Sequence, residues 1–115
     1  MTIKIRNITM VRGDSESITV KCFTESGGTK TASPFTTGDT VTFTVRKDPK
    51  STILLQKAIT EFDENGYAVI LLYPEDTSGM DFGKYVYDIQ LTRSDDSVTT
   101  IVPISSFILA EEVTY

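Results

Sequence analysis

The fold of this chain is decided by the stretch Gly83-Lys84-Tyr85-Val86-Tyr87-Asp88-Ile89-Gln90-Leu91-Thr92. Its large apolar side chains recur at every second position, at Tyr85, Tyr87, Ile89 and Leu91. Most of the positions between them are polar. Alternation with a period of two is typical of a strand with one buried and one solvated face. The sequence therefore predicts a long antiparallel strand here, and the rest of the chain is organised around it.

The remaining sequence predicts further short strands separated by turns. A clean alternation predicts a strand over Thr40–Lys47, and a second alternation predicts one over Ser17–Thr24. The Gly- and Ser-rich segment Glu25–Asp39 predicts a loop. The turn signal Asn65-Gly66 predicts a hairpin between its flanking strands, of which Tyr67–Tyr73 is apolar enough for a central strand.

Two more patterns complete the prediction of the fold. Pro74–Met80 fits one helical turn between sheets, and Pro103 is expected to separate a strand over Val98–Val102 from a last strand over Ser106–Val113, because proline cannot donate to a ladder. The sequence thus predicts an all-β, antiparallel β-sandwich of about seven to eight strands, with residues 1–115 forming one domain.

The composition excludes several kinds of catalytic and metal sites. Histidine is absent and Cys22 is the only cysteine, so Ser-His-Asp and Cys-His catalysis, Cys/His zinc sites and an intrachain disulfide are excluded. A chain of 115 residues can bury enough surface to fold without a metal or disulfide. We therefore expect a protein that is not an enzyme and has no catalytic residues, metal or cofactor.

The charge and hydropathy of the chain bound its partners. The net charge of −5 argues against nucleic acid and anionic membrane surfaces, because both require a basic face. No apolar run reaches about 18 residues, so membrane insertion is not expected. The first six residues show no signal-peptide pattern, which predicts a chain that is made and kept in a cytoplasm or released from it by lysis.

The central strand also carries a resemblance to a known family. Asp81-x-Gly83-x-Tyr85-x-Tyr87 resembles the Asp-x-Gly-x-Tyr-x-Cys run of immunoglobulin domains. In that family the tyrosine hydroxyl binds upstream backbone at a corner between strands. The resemblance implies an immunoglobulin-like sandwich in which Tyr85, Gly83 and Asp81 form this structural corner. Tyr87 stands where the family has its disulfide cysteine, and the chain has no tryptophan, so the family's disulfide and core tryptophan are not expected.

A second resemblance covers more of the chain and concerns function. It is carried by the segments Gly38–Arg46, Leu72–Thr77, Gly83–Leu91 and Ser106–Thr114. Together these are similar to small virion proteins of phages and prophages, in particular to the N-terminal domain of phage baseplate upper proteins. The resemblance implies a structural protein, made in the bacterial host cytoplasm, that joins other virion proteins in the tail, baseplate or fibre. No long C-terminal extension follows, so we expect no receptor-binding region in this chain.

The segment Phe107-Ile108-Leu109-Ala110 is a candidate interface because it is apolar on both faces. An edge strand with one wet face would alternate. The sequence leaves two alternatives open. The segment packs against another subunit, as a homo-oligomer or virion contact, or it lies in the central part of one sheet and is covered by the Glu25–Asp39 loop.

Other functions remain as alternatives. A carbohydrate- or cell-surface-binding module would use exposed aromatic rings, for which Phe35 and Phe62 are the candidates. Arg12-Gly13-Asp14 matches the integrin-binding tripeptide, although Gly-Asp is ordinary turn sequence. Acidic loop residues could supply oxygen ligands for calcium, but without EF-hand spacing; they are Asp63, Glu64, Asp76, Asp81, Asp95 and Asp96.

Overall fold

The computed structural model describes residues 7–111, which form nine strands and one helical turn. The elements are β1 (Ile8–Val11), β2 (Glu16–Val20), β3 (Phe23–Ser26), β4 (Thr29–Ala32), β5 (Thr40–Arg46), β6 (Ile53–Ile59), β7 (Ala68–Leu72), α1 (Pro74–Thr77), β8 (Gly83–Thr92) and β9 (Val98–Ala110). In this part of the chain no helix is long and apolar enough to span a membrane. The alternation of Ile3, Ile5, Ile8 and Met10 predicts a first strand, of which Ile3 and Ile5 lie outside the described residues. Residues 112 and 113 of the predicted last strand also lie outside them.

The main layer is a five-stranded sheet in the order β1-β9-β8-β5-β6, with β8 in the middle. The alternation of β8 is confirmed, since Tyr85, Tyr87, Ile89 and Leu91 are all buried. Antiparallel pairing with β5 places Ile89 opposite Phe43. The pairing of β1 with β9 is parallel, so the sheet is mixed and the prediction of a wholly antiparallel fold is wrong at this pair.

The second layer is the antiparallel pair β2–β7. Its apolar side chains Val20, Ala68, Ile70 and Leu72 join those of the main sheet in one core. Two sheets packed on a shared core confirm the prediction of an all-β sandwich. The prediction of a central strand over Tyr67–Tyr73 is wrong for the described residues, because β7 pairs there with β2 alone and Leu71 is exposed.

The predicted strand over Ser17–Thr24 and the predicted loop over Glu25–Asp39 are both wrong in their bounds. The first strand ends at Val20, and β3 pairs with β4 as a separate antiparallel hairpin. Gly27 and Gly28 form its turn with φ angles of 58° and 83°. Two consecutive positive φ angles match the right-handed twist of a hairpin, and glycine adopts them without a Cβ penalty.

Asn65-Gly66 forms the predicted turn but not the predicted hairpin. The strands on either side, β6 and β7, belong to different sheets. The Asp63 carboxylate accepts hydrogen bonds from the backbone N–H groups of Asn65 and Tyr67 and holds the turn. Gly66 has a φ of 75°, and a Cβ there would lie 2.5 Å from Cβ of Pro34. Glycine is therefore required at this position both by the turn and by the close approach of Pro34.

Pro103 does not divide the last two predicted strands. Strand β9 runs through it for 13 residues. The pairing of β9 with β8 is interrupted there, because Ser105 pairs with Tyr87 and Val102 pairs with Ile89. An irregularity of this kind accommodates a residue without an N–H donor. Over Phe107–Leu109, β9 lies inside the sheet, with β1 on one side and β8 on the other.

Candidate functional site

The corner predicted from the tyrosine motif is formed at the start of β8. The buried Tyr85 hydroxyl donates a hydrogen bond of 2.7 Å to the carbonyl oxygen of Asp81. Gly83 lies between them with a φ of 136°, a value that favours glycine. The Lys47 ammonium lies 4.6 Å from the Tyr85 ring centroid and donates to the Lys84 carbonyl. These contacts fix the point where the chain enters β8, and they bring no reactive group together.

Replacing Tyr85 with phenylalanine should lower the free energy of unfolding by about 1 kcal/mol, the usual net value of one hydrogen bond. The ring can keep its place in the core, so the loss reports the hydroxyl alone. Urea denaturation followed by circular dichroism measures the change. Tyr73→Phe is the control, because the Tyr73 ring is half-exposed and water can serve its hydroxyl. Equal stability of the Tyr85 variant and the parent would show that the corner bond is not stabilising.

The candidate interface at the C-terminal end of β9 is divided between two faces. Phe107 and Leu109 are fully buried in the protein's own core, whereas Ile108 and Ala110 are half-buried on the outer face of the sheet. Of the two alternatives, the position inside one sheet is the one observed. Neither Phe107 nor Leu109 reaches the surface, so the interface stays a prediction that concerns Ile108 and Ala110.

The rings proposed for a carbohydrate-binding module are not exposed. Phe35 is 3% exposed and packs in the core. Its ring centroid lies 5.3 Å from that of Phe62, which is half-buried. The prediction of two exposed rings is therefore wrong. Among the described residues, the exposed rings of Phe82 and Tyr73 lie under cations of the same chain, Arg12 at 4.1 Å and Lys57 at 5.2 Å.

The tripeptide Arg12-Gly13-Asp14 is held against its own fold. In addition to its contact with the Phe82 ring, Arg12 donates to the carbonyl oxygen of Met80 at 3.2 Å. The Gly13 N–H donates to the hydroxyl of the buried Thr77 at 2.9 Å. These bonds join the turn after β1 to the turn at α1. The Arg12 side chain binds groups of its own chain, which argues against an integrin-type contact.

The acidic residues considered for calcium do not converge. The described residues contain no group of three or more Cys, Asp or Glu side chains that could hold a metal ion. Asp76 binds the Lys57 ammonium at 2.9 Å and the Tyr73 N–H at 2.7 Å. Burial raises the pKa of Asp76, but these two partners together outweigh it, so the pKa lies below its ordinary value. Asp76 thus acts as a structural anion.

One polar cluster was not predicted from the sequence. The Asp39 carboxylate, whose side chain is 2% exposed, binds the Arg93 guanidinium at 2.8 Å. It also accepts from the Thr36 N–H at 3.0 Å, and Arg93 reaches the Ser33 hydroxyl at 3.3 Å. Burial raises the pKa of the neighbouring Cys22 thiol, which makes it a poor nucleophile. This cluster links the segment before β5 to the turn after β8.

Asp88 and Arg46 lie on neighbouring strands, on the outer face of the main sheet. Burial raises the pKa of Asp88, and the charge of Arg46 on the neighbouring strand opposes this rise. The two residues line a shallow hollow together with the exposed Ile104. Its volume of about 10 Å³ is too small for a ligand larger than a water molecule.

A further candidate is the edge of the main sheet formed by β6, which we call the β6 edge. One side of β6 pairs with β5, and no described strand pairs with the other. The side chains of Ile53 and Leu54 are about half exposed at its beginning. The register shift at Val45/Arg46 leaves Leu54 without a partner residue on β5. The β6 edge therefore combines unpaired backbone with exposed apolar surface, which is the chemistry of a protein contact.

Comparison with known proteins gives no family. No protein-family model matches the sequence, and no curated protein matches it.

Proposed function

We propose that the protein is a non-enzymatic structural component of a phage or prophage virion that acts through protein–protein contacts in the tail, baseplate or fibre attachment. The resemblance of Gly38–Arg46, Leu72–Thr77 and Gly83–Leu91 to such proteins motivates the proposal. These segments contain the strand β5, the turn α1 and the strand β8. They are thus the framework of the fold, and the resemblance concerns a scaffold.

The observation that carries the proposal is the β6 edge. An assembly protein needs a surface on which another chain can add, and an unpaired strand edge with exposed apolar side chains offers one. Proteins that gain nothing from such an edge protect it with charges, proline or a covering segment. Here Ile53 and Leu54 stand exposed beside it, and the strand contains no proline and a single charge, at Lys57.

The carbohydrate-binding alternative is less well supported. Sugar rings stack on flat, exposed aromatic faces, and the described residues offer no row of them. Phe35 and Phe62 pack on each other, while Arg12 lies over Phe82 and Lys57 over Tyr73. A sugar would have to displace a cation from either exposed ring.

The test is the presence of the chain in particles. Particles released from bacteria carrying the gene are purified on a density gradient and probed with an antibody against the recombinant protein. We expect the chain to sediment with the particles and to resist a high-salt wash, with a soluble host protein as the negative control. Recovery of the chain in the soluble fraction alone, from lysates rich in particles, would refute the virion role.

A further inference from the structure

The β6 edge has opposite charges at its two ends. The turn before β6 carries Lys47 and Lys50, with Asp48 between them. The loop after β6 carries three carboxylates, all exposed, at Glu61, Asp63 and Glu64. An edge with this arrangement is complementary to itself when turned end for end. Two copies running antiparallel would place the basic end of each beside the acidic end of the other.

We propose that the β6 edge pairs with the β6 edge of a second copy of this chain, joining two five-stranded sheets into one across a twofold axis. An isologous contact of this kind needs a surface that complements itself, and the charges at the two ends supply that property. Backbone hydrogen bonds between the two strands supply the rest of the contact.

The pairing has a defined centre at Gln56. With Gln56 opposite its own copy, Leu54 lies opposite Ala58 of the second copy, so a large side chain meets a small one. The turn that carries Lys50 then lies at the same end of the pairing as the second copy's segment 61–63, which carries two of the three carboxylates. Side chains of one face meet side chains of the same face, as antiparallel pairing requires.

The one charge within β6 does not oppose this pairing. The Lys57 ammonium binds Asp76 of its own chain at 2.9 Å and lies near the Tyr73 ring. In the proposed register Lys57 lies opposite Leu55 of the second copy, so no two lysines face each other. Like charges directly opposite would have been destabilising.

Sedimentation velocity of the purified full chain, from 1 to 100 µM as an order-of-magnitude range for a weak to moderate contact, tests the proposal. We expect a dimer whose dissociation constant rises about tenfold or more in Leu54→Lys, because the twofold axis places each substitution in the interface twice. Leu71→Lys is the matched control. Leu71 is 46% exposed on β7 and Leu54 is 48% exposed on β6, so the two side chains match in type and exposure and lie on different sheets.

A charge exchange tests the register independently of apolar burial. Lys50→Glu and Glu61→Lys should each weaken the dimer severalfold, and the chain carrying both should recover it, because the exchanged ends are again complementary. Circular dichroism verifies that each variant is folded. A monomer at every concentration would overturn the proposal, and so would a dimer indifferent to Leu54→Lys. Failure of the double variant to recover would overturn the antiparallel register.

The dimer does not rest on the virion role. It is a property of the isolated chain, so a dimer from a protein missing from particles would leave this inference standing and refute the proposed function. A monomer found within particles would do the reverse.

Discussion

Replacing Phe107 with alanine should lower the free energy of unfolding by about 3–5 kcal/mol, the usual cost of truncating a fully buried phenylalanine. Phe107 is 0% exposed, and its ring centroid lies 6.1 Å from that of Phe43 and 6.4 Å from that of Tyr87. These rings come from three adjacent strands of the main sheet, β9, β5 and β8. Urea denaturation followed by circular dichroism measures the loss.

Ile108→Ala provides the control for this prediction. Ile108 is the next residue of the same strand, but its half-buried side chain is on the opposite face. It should cost clearly less, about 1–2 kcal/mol, since less apolar area returns to water. If the Ile108 variant lost as much stability as the Phe107 variant, the assignment of the two faces of β9 would be wrong. The pair thus measures which half of the apolar segment belongs to the core.

The strands that could be predicted from the sequence are those in which apolar and polar side chains alternate along one short segment. The buried positions of β8 follow from its period of two, and so do Val41, Phe43 and Val45 of β5. In both strands one face packs on the core and the other remains polar. Such a pattern depends only on which residues of the strand are buried, and it is visible in the order of apolar and polar residues in a single sequence.

The pairing of strands could not be predicted in the same way. Asn65-Gly66 is a dipeptide typical of hairpin turns, but here it connects strands of two different sheets. The observed hairpin has its turn at Gly27-Gly28, in a segment whose composition predicts a loop. Turn residues specify a change of direction. Which strands then pair depends on how distant segments pack, and Pro34 against Gly66 is a contact of that kind.

The β6 edge could not be predicted from the sequence for a related reason. Whether a strand is an edge depends on the order of strands in the sheet. The segment around Phe107 is apolar on both faces, which fits an edge strand covered by a partner as well as it fits an interior strand. The structure shows the interior position. The β6 strand shows its edge only once β5 is placed on one side of it. Asp39 and Arg93, 54 residues apart, meet only in the folded chain.

Replacing Arg93 with methionine should lower the free energy of unfolding by about 2–3 kcal/mol. The substitution leaves the Asp39 carboxylate buried without its cation, and an unpaired buried charge costs about 3–5 kcal/mol when fully enclosed. The expected loss is smaller because the Arg93 side chain is 30% exposed, so water can reach the site from which it is removed. The Thr36 N–H, which still donates to Asp39, compensates in part.

Lys57→Met is the matched control for this prediction, because it removes the cation from an ion pair whose carboxylate is more exposed, at 14% against 2%. Asp76 is less buried than Asp39 and retains the Tyr73 N–H, so we expect a loss below about 1 kcal/mol. Adding Asp39→Asn to Arg93→Met should recover part of the stability, since the uncompensated charge is then gone. If the double variant were no more stable than Arg93→Met, the loss would come from packing of the arginine stem and not from the stranded carboxylate.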